Sequence, residues 1–498
     1  MTKECRSTKA LQVREGSRKG DISETVQKDV SYKGKNLEFD WAEKRWDDPL
    51  TGQEVVCLSP KTSQPHFRSN YFRYNMFTDD GKYVVFVGAE DLVNGLGTEN
   101  RIWARDLETG ELRDLGPLPD APESLREWFT VLGGALSMYS VGFHNHCVYV
   151  MDPSDPEAWA VLRINIDTGE REHIVPSERY ANMDVNGSAN GRHIYYTTPH
   201  DRYALDGRQD FLRLDLETCE VEHLFDNTGE EKLWFMDHPN PNPANPNLVM
   251  CQCQDPEVNY YKARPSIRVW DLTAGKFLDL FHRPPHYMNG HHEHWNCLGN
   301  RIYTHDWVWL KMHWINRIDL DKGENSWFPT VPNVGYSHHS LAAPDESFII
   351  GEGYEFDYFS MPPDIRLKLY EHLEAGDRLT KWFFHYLSGD YTCPGETIYM
   401  HELPEETIMK NDDVWHDFNE NYTKDMEPFH RLLRDNRELT VKVTPVCKFR
   451  TLFRSEKMLG YRLEANAKVT PDSRWAVFQS SSEDNLFEVW AARIPGKT

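Results

Sequence analysis

Several things are scarce in this 498-residue chain, and each scarcity removes a class of answer. No uninterrupted apolar run is long enough to cross a bilayer, which argues against a helical membrane span. The opening stretch, MTKECRSTKALQVREGSRKGD, is charged and polar without the apolar core of a secretory signal, so a cytoplasmic protein is expected. Cysteine is sparse: nine scattered residues, an odd number, fit a reducing compartment better than a disulfide framework. Cys251 and Cys253 in MCQCQ read as a buried pair on one face of a strand. Positive charge is short, with 55 Lys and Arg against 79 Asp and Glu and a formal net charge of −24. That balance argues against nucleic acid or an anionic membrane as the main partner. It leaves room for a small anionic ligand at a locally basic site. Helical periodicity is also rare. Its two clear instances are PPDIRLKLYEHLEAG, where Ile365, Leu369 and Leu373 share a face, and MEPFHRLLRDNREL.

What is present is aromatic-rich strand sequence with a repeat. Aromatics make up 13 % of the chain, as sheet proteins and sugar-binding clefts favour. A polar turn leads into a β-rich run in TDDGKYVVFVG, NGSANGRHIYYTT, NPNLVMCQC, LGNRIYTHD, APDESFIIGEG and TPDSRWAVFQS. A second strand ending in an Asp/Thr/Gly turn recurs in WARDLETGEL, LRINIDTGER, LRLDLETCEV, RVWDLTAGKF and NRIDLDKGEN. Its turn centres, Gly110, Gly169, Cys219, Gly275 and Gly323, step by roughly 50 residues, the length of a four-stranded propeller blade. With a less regular unit near 123 to 175, this predicts an all-β, seven-bladed β-propeller over residues 41–498, behind an N-terminal extension of residues 1–40. Short helical insertions are expected from about 360 to 455. The strand EVVCLSP is expected to join the last blade and close the ring.

In such a fold the innermost strand of each blade runs along the central channel, and the hairpin after it sets the register. Counting seven positions back from each hairpin centre selects Tyr74, Asp184, His238, His292, His339 and Asn466. Three histidines in so short a column point to proton transfer or metal ligation. The stretch HRPPHYMNGHHEHW then divides. His292 sits at the channel with His294 on the same face and Glu293 turned away, while His282, His286 and His291 are loop residues. His144 and His146 in GFHNHC fall at a turn and read as structural.

DDPLTGQEVVCLSP, NYFRYNMFTDDGKYVVF, LRLDLETCEVE, WFMDHPNPNP, HHEHWNCLGN, SHHSLAAPDES and VTPDSRWAVFQSS, collinear from about residue 47 to 495, carry a resemblance to the oligogalacturonate lyase family. Members of that family are seven-bladed propellers. They remove the proton beside a uronic acid's carboxylate and expel the 4-linked sugar. The resemblance implies His238 as base, Arg213 as its partner, His292 as a metal-ligating histidine and His339 as a histidine near the cleft. Where the family carries Gln and a His-x-His pair in the last blade, this chain has Tyr461, Glu464 and Asn466. A divalent cation, manganese or calcium, would then rest on His292, Glu464 and Asn466, with His294 in support. A metal-free variant would need arginine nearby, and Arg68 and Arg73 flank SNYF on the first blade. Tyr71, Tyr74, Asp184, His294 and Tyr461 complete the expected substrate contacts, and the expected partner is an anionic oligosaccharide. Alternatives are a lyase for a glucuronate-linked glycan such as rhamnose–glucuronate, a hydrolase needing two opposed carboxylates, and a non-catalytic sugar- or protein-binding propeller.

Overall fold

The repeated turn rests on one side chain. In the first repeat Asp106 Oδ1 accepts the backbone N–H groups of Glu108 and Thr109 at 3.0 and 2.8 Å, and the Gly110 N–H returns to the Asp106 carbonyl. Asn165, Asp215, Asp271 and Asp319 repeat the arrangement. In each copy the residue four places on is left-handed, with φ of 74°, 71°, 59°, 62° and 68° at Gly110, Gly169, Cys219, Gly275 and Gly323. Cys219 therefore occupies a glycine slot at a strain of about 1–2 kcal/mol. Its side chain is buried among Leu214, Leu216 and Tyr196, which offsets that strain. The other hairpins are capped by Thr78, Asn242, Asn296 and Thr470, whose side-chain oxygens accept turn N–H groups.

These turns join seven sheets in a computed structural model. It describes residues 2–4, 34–62, 64–70, 74–90, 100–120, 139–142, 145–152, 154, 160–175, 186–187, 191–197, 209–226, 235–254, 266–278, 280, 288–308, 312–329, 334–341, 346–355, 396–404, 409–410, 441–449, 465–481 and 486–497. Blade one runs His66–Arg68, Tyr83–Ala89, Arg101–Asp106, Leu112–Pro117, from the channel outward. Blade two is Tyr139–Val141, Cys147–Asp152, Ala160–Asn165, Arg171–Val175, with Thr2–Glu4 added in parallel at its edge. Blade three is Asn186–Gly187, His193–Thr197, Asp210–Asp215, Val221–Asp226, and blade four Phe235–Pro241, Leu248–Gln254, Ser266–Asp271, Lys276–Phe277. Blade five is Met288–Trp295, Arg301–Val308, Met312–Asp319, Glu324–Pro329, edged by Met409–Lys410. Blade six is Val334–Leu341, Ile349–Glu355, Glu396–Glu402, Lys442–Lys448.

The seventh blade closes the ring. Its inner strands, Lys468–Val469, Trp475–Ser481 and Phe487–Arg493, come from the C-terminal end of the chain. Its outer pair, Glu54–Cys57 and Arg45–Asp47, comes from the N-terminal side. The expected role of EVVCLSP is therefore what the structure shows. The expected insertion at 360–455 needs correcting, because it contains the two outer strands of blade six. The two helical segments forecast there lie outside the described residues, and among the described residues there is no helix.

Strand alternation explains the packing. Along the second strand of blade one, Val84 and Phe86 face blade seven while Tyr83, Val85 and Val87 face blade two. Tyr149 and Met151 meet Ile194 and Tyr196 between blades two and three, and Tyr195 and Phe211 meet Val249 and Cys251 between three and four. Met250 meets Ile302, Tyr303 meets Ile349, and Ile350 meets Ala476 at the next three seams. Every seam thus carries its own apolar cluster, and burial on both faces is why the strands read as nearly continuous apolar runs.

Polar clamps rim the same seams. His146, expected to be structural, sits between blades one and two with Nε2 3.0 Å from Asp80 and Nδ1 2.6 Å from Asp167. Burial alone would raise the Asp167 carboxyl, but hydrogen bonds from His146, Tyr83 and Lys82 hold it well below the usual carboxylate range. Between blades five and six, Glu346 accepts from Asn296, Arg301 and Tyr303.

Two outcomes follow from this architecture. Leu58→Ala, just after the closing strand Glu54–Cys57 and fully buried against blades seven and one, is expected to cost about 2–5 kcal/mol in urea denaturation. Because the folded Asp167 pKa is lowered, its stabilisation is complete above the unfolded value and is lost as pH falls through the folded one. Asp167→Asn should therefore be less stable than the parent at neutral pH, with the gap narrowing below about pH 4 in a urea series across pH.

Candidate functional site

His238, His292 and His339 lie on the inner strands of three consecutive blades, four, five and six. All three strands carry a one-residue bulge. In blade four Asp237 pairs with Gln252 and Asn240 with Met250, so His238 and Pro239 together face one residue. In blade five His291 pairs with His305 and His294 with Tyr303, leaving His292 and Glu293 in the equivalent place. In blade six the bulge holds Ser337 and His338, and His339 follows it, paired with Gly351. Relative to their hairpins, the first two bulges coincide, and the third lies two residues earlier. Bulges bend a strand and re-aim side chains, and they are enriched beside active sites. The side chains of His238, His292 and His339 lie outside the described residues.

The bulges correct one sequence expectation. Strict alternation was to put His294 on the same face as His292 with Glu293 turned away, but the extra residue interrupts that alternation. His294 is half-buried and Glu293 fully buried. Trp295 next to them donates its indole N–H to the Asn240 carbonyl at 2.9 Å, tying blade five to the inner strand of blade four.

Tyr74 and Asn466 also depart from the expected column. The inner strand ends at Arg68, paired with Val87, and contact with the second strand resumes at Met76 and Phe77, so Tyr74 is buried outside the strand. Asn466 is buried with φ 48°, just before the inner strand begins at Lys468. Tyr71, Arg73, Asp184, Tyr461 and Glu464 lie outside the described residues.

Arg213 has a different place from the one expected. It is on the third strand of its blade, bound to Glu222 on the fourth, away from the channel. Arg163 and Glu172 form the same pair at the same register in blade two. Duplication marks this as a repeat-level strand contact rather than a partner for His238.

The sequence reading missed a polar seam between blades six, seven and one. Glu352, fully buried in blade six, accepts the N–H of Ala465 at 2.5 Å and of Asn466 at 3.2 Å. Lys468, also buried, donates to the carbonyls of Asn70 at 2.8 Å and Asn466 at 3.4 Å. Gln479 accepts from the Ser69 N–H at 3.1 Å. Arg68 is buried two residues before Asn70, and burial pushes its guanidinium down to about 10. The overlooked signal was a lysine inside an otherwise small and apolar strand, ANAKV.

This seam bears on the implied metal. A hard divalent ion wants anionic oxygen around it. At Asn466 the carbonyl already accepts from an ammonium, and the nearby carboxylate of Glu352 is engaged by backbone N–H groups. Of the donor set His292, Glu464 and Asn466, the His292 side chain and Glu464 lie outside the described residues. Among the described residues a separate trio, Asp210, His223 and Asp226, has ligand atoms within 4.8 Å of one another. It lies on the two outer strands of blade three.

Arg213→Met and Arg163→Met should each lower stability by about 1 kcal/mol or less in urea denaturation, and equally, as exposed strand pairs do. A selective effect of Arg213→Met on sugar cleavage would contradict this assignment.

No protein-family model matches the chain, and no curated protein matches it in sequence. Solved structures do. An oligogalacturonate lyase in complex with manganese superposes with a TM-score of 0.58 at 14 % identity, covering 94 % of this chain and 98 % of that one. The oligogalacturonate lyase of Vibrio parahaemolyticus gives 0.59 at 14 % identity, covering 91 % and 97 %. At that identity the likeness establishes the fold: the chain is a seven-bladed β-propeller built, over nearly its whole length, like the oligogalacturonate lyases.

Proposed function

We propose that this protein is a lyase that cleaves uronic-acid-containing oligosaccharides by β-elimination. The observation that carries the reading is the placement of His238, His292 and His339 on consecutive bulged inner strands of a propeller with this likeness.

The reaction has one physical difficulty, a weak carbon acid. The hydrogen beside the uronate carboxylate must leave as a proton, and its electron pair forms the new C=C bond. The C–O bond to the 4-linked sugar then breaks, and the departing oxygen takes up a proton. A positioned base lowers the first barrier, and positive charge at the carboxylate holds the developing enolate. In this proposal His238 takes the proton, with His292 and His339 orienting the sugar or protonating the leaving oxygen. Arg213 is left out, because Glu222 holds it elsewhere. The resemblance offers manganese or calcium on His292, Glu464 and Asn466 for the positive charge, and the cationic side chains of the blade seven–one seam meet the same need without it. A cytoplasmic location belongs to the same reading.

The test is spectroscopic. Mixing the protein with galacturonide or glucuronide oligosaccharides should raise the ultraviolet absorbance of an unsaturated uronate. His238→Ala should slow that rise by at least about a hundredfold. Silence across galacturonides, glucuronides and rhamnose-capped glucuronides, together with measurable sugar binding, would replace the lyase with a non-catalytic binding propeller.

A further inference from the structure

Lys468 is unusual in this chain. It lies on the inner strand of the closing blade, is only 4 % exposed, and belongs to a protein with a formal charge of −24. An ammonium carries three N–H donors. Two go to the carbonyls of Asn70 and Asn466, and the third has no acceptor among the described residues. The acid that bears on it electrostatically is Glu352, whose carboxylate is engaged by the Ala465 and Asn466 backbone. Among the described residues no carboxylate stands within ion-pairing distance of Lys468. Buried charges in proteins are normally paired. Among the described residues this one is paired with neutral carbonyls, and the Arg68 guanidinium is buried on the adjoining inner strand of blade one. An anion is the ligand chemistry that complements two cationic side chains so placed.

We infer that Lys468 is the fixed cation of the cleft, receiving the carboxylate of an anionic sugar in the place a divalent ion would otherwise take. That the anion is a uronate rests on the lyase reading above. The competing role is structural: the amine straps Asn70 of blade one to Asn466 of blade seven and does nothing else. The two roles separate by substitution. Lys468→Gln keeps amide N–H donors for the two carbonyls and removes the charge, whereas Lys468→Arg keeps the charge.

The experiment is calorimetric titration of the full chain with digalacturonate in the presence of a chelator, with cleavage followed in parallel by ultraviolet absorbance. The wild type is expected to bind without metal, Lys468→Gln to bind at least about 30-fold more weakly, and Lys468→Arg to stay within a few-fold of wild type. Unchanged binding by Lys468→Gln overturns the inference and leaves the lyase reading standing wherever cleavage persists. Loss of wild-type binding on chelation, restored by manganese, also overturns it, and needs no variant to fold. Binding that depends on Lys468 without any cleavage upholds the inference and defeats the lyase. A wild type that binds no uronide defeats both.

Discussion

Everything in this molecule depends on covering two-faced sheets. Each blade is apolar on both faces, so no blade is stable with a neighbour on one side alone, and an open row would leave both terminal faces wet. Closing the row into a ring is the arrangement that buries all of them. The cost falls on the last seam, which must be joined by strands from opposite ends of the chain. Val55 and Val56 show how this is done: on one short strand, Val55 packs against blade six and Val56 against blade one.

The ring also bears on where local irregularities fall: at the inner strands and, in blades one, three and six, between the third and fourth strands, but not between the second and third. Second and third strands are locked by side chains on both faces, and a slip of one residue would turn every one of them over. Inner strands have a neighbour on one edge only. The bulges of blades four, five and six and the left-handed Asn466 occur there. On the inner strands of blades four, five and six the functional candidates and the irregular backbone coincide.

This division sets what could be read from the residues. Blade number, turn chemistry and the closing strand were legible because they repeat: Asp106, Asp215 and Asp271 do the same work at the same spacing, and Cys219 could be placed in a glycine slot by register alone. His146 was legible as a turn residue for the same reason. Counting back along an inner strand assumes an unbroken ladder, so it reached the inner strands for His238, His292 and His339 but put Tyr74 on a strand that ends at Arg68. Arg213 misled in a different way. A motif match carried a role onto it, while the internal copy Arg163–Glu172, visible in the same repeat, already indicated a strand pair. Lys468 was passed over because no repeat shares it.

These placements divide the cleft by chemistry. Blades four to six bring imidazole, which can accept and release a proton near neutrality. The seam of blades six, seven and one brings Glu352, Lys468 and Arg68, of which Glu352 is bound to backbone N–H groups. A β-elimination needs those two properties on opposite sides of one carbon, a base where the hydrogen points and positive charge where the carboxylate lies. In the proposed reading that positive charge is Lys468, whose amine also donates to the Asn466 carbonyl. A covalently held cation of that kind would have a further consequence: it cannot dissociate, so the charge across the channel would be established when the ring closes, by the same blade that joins the two ends of the chain.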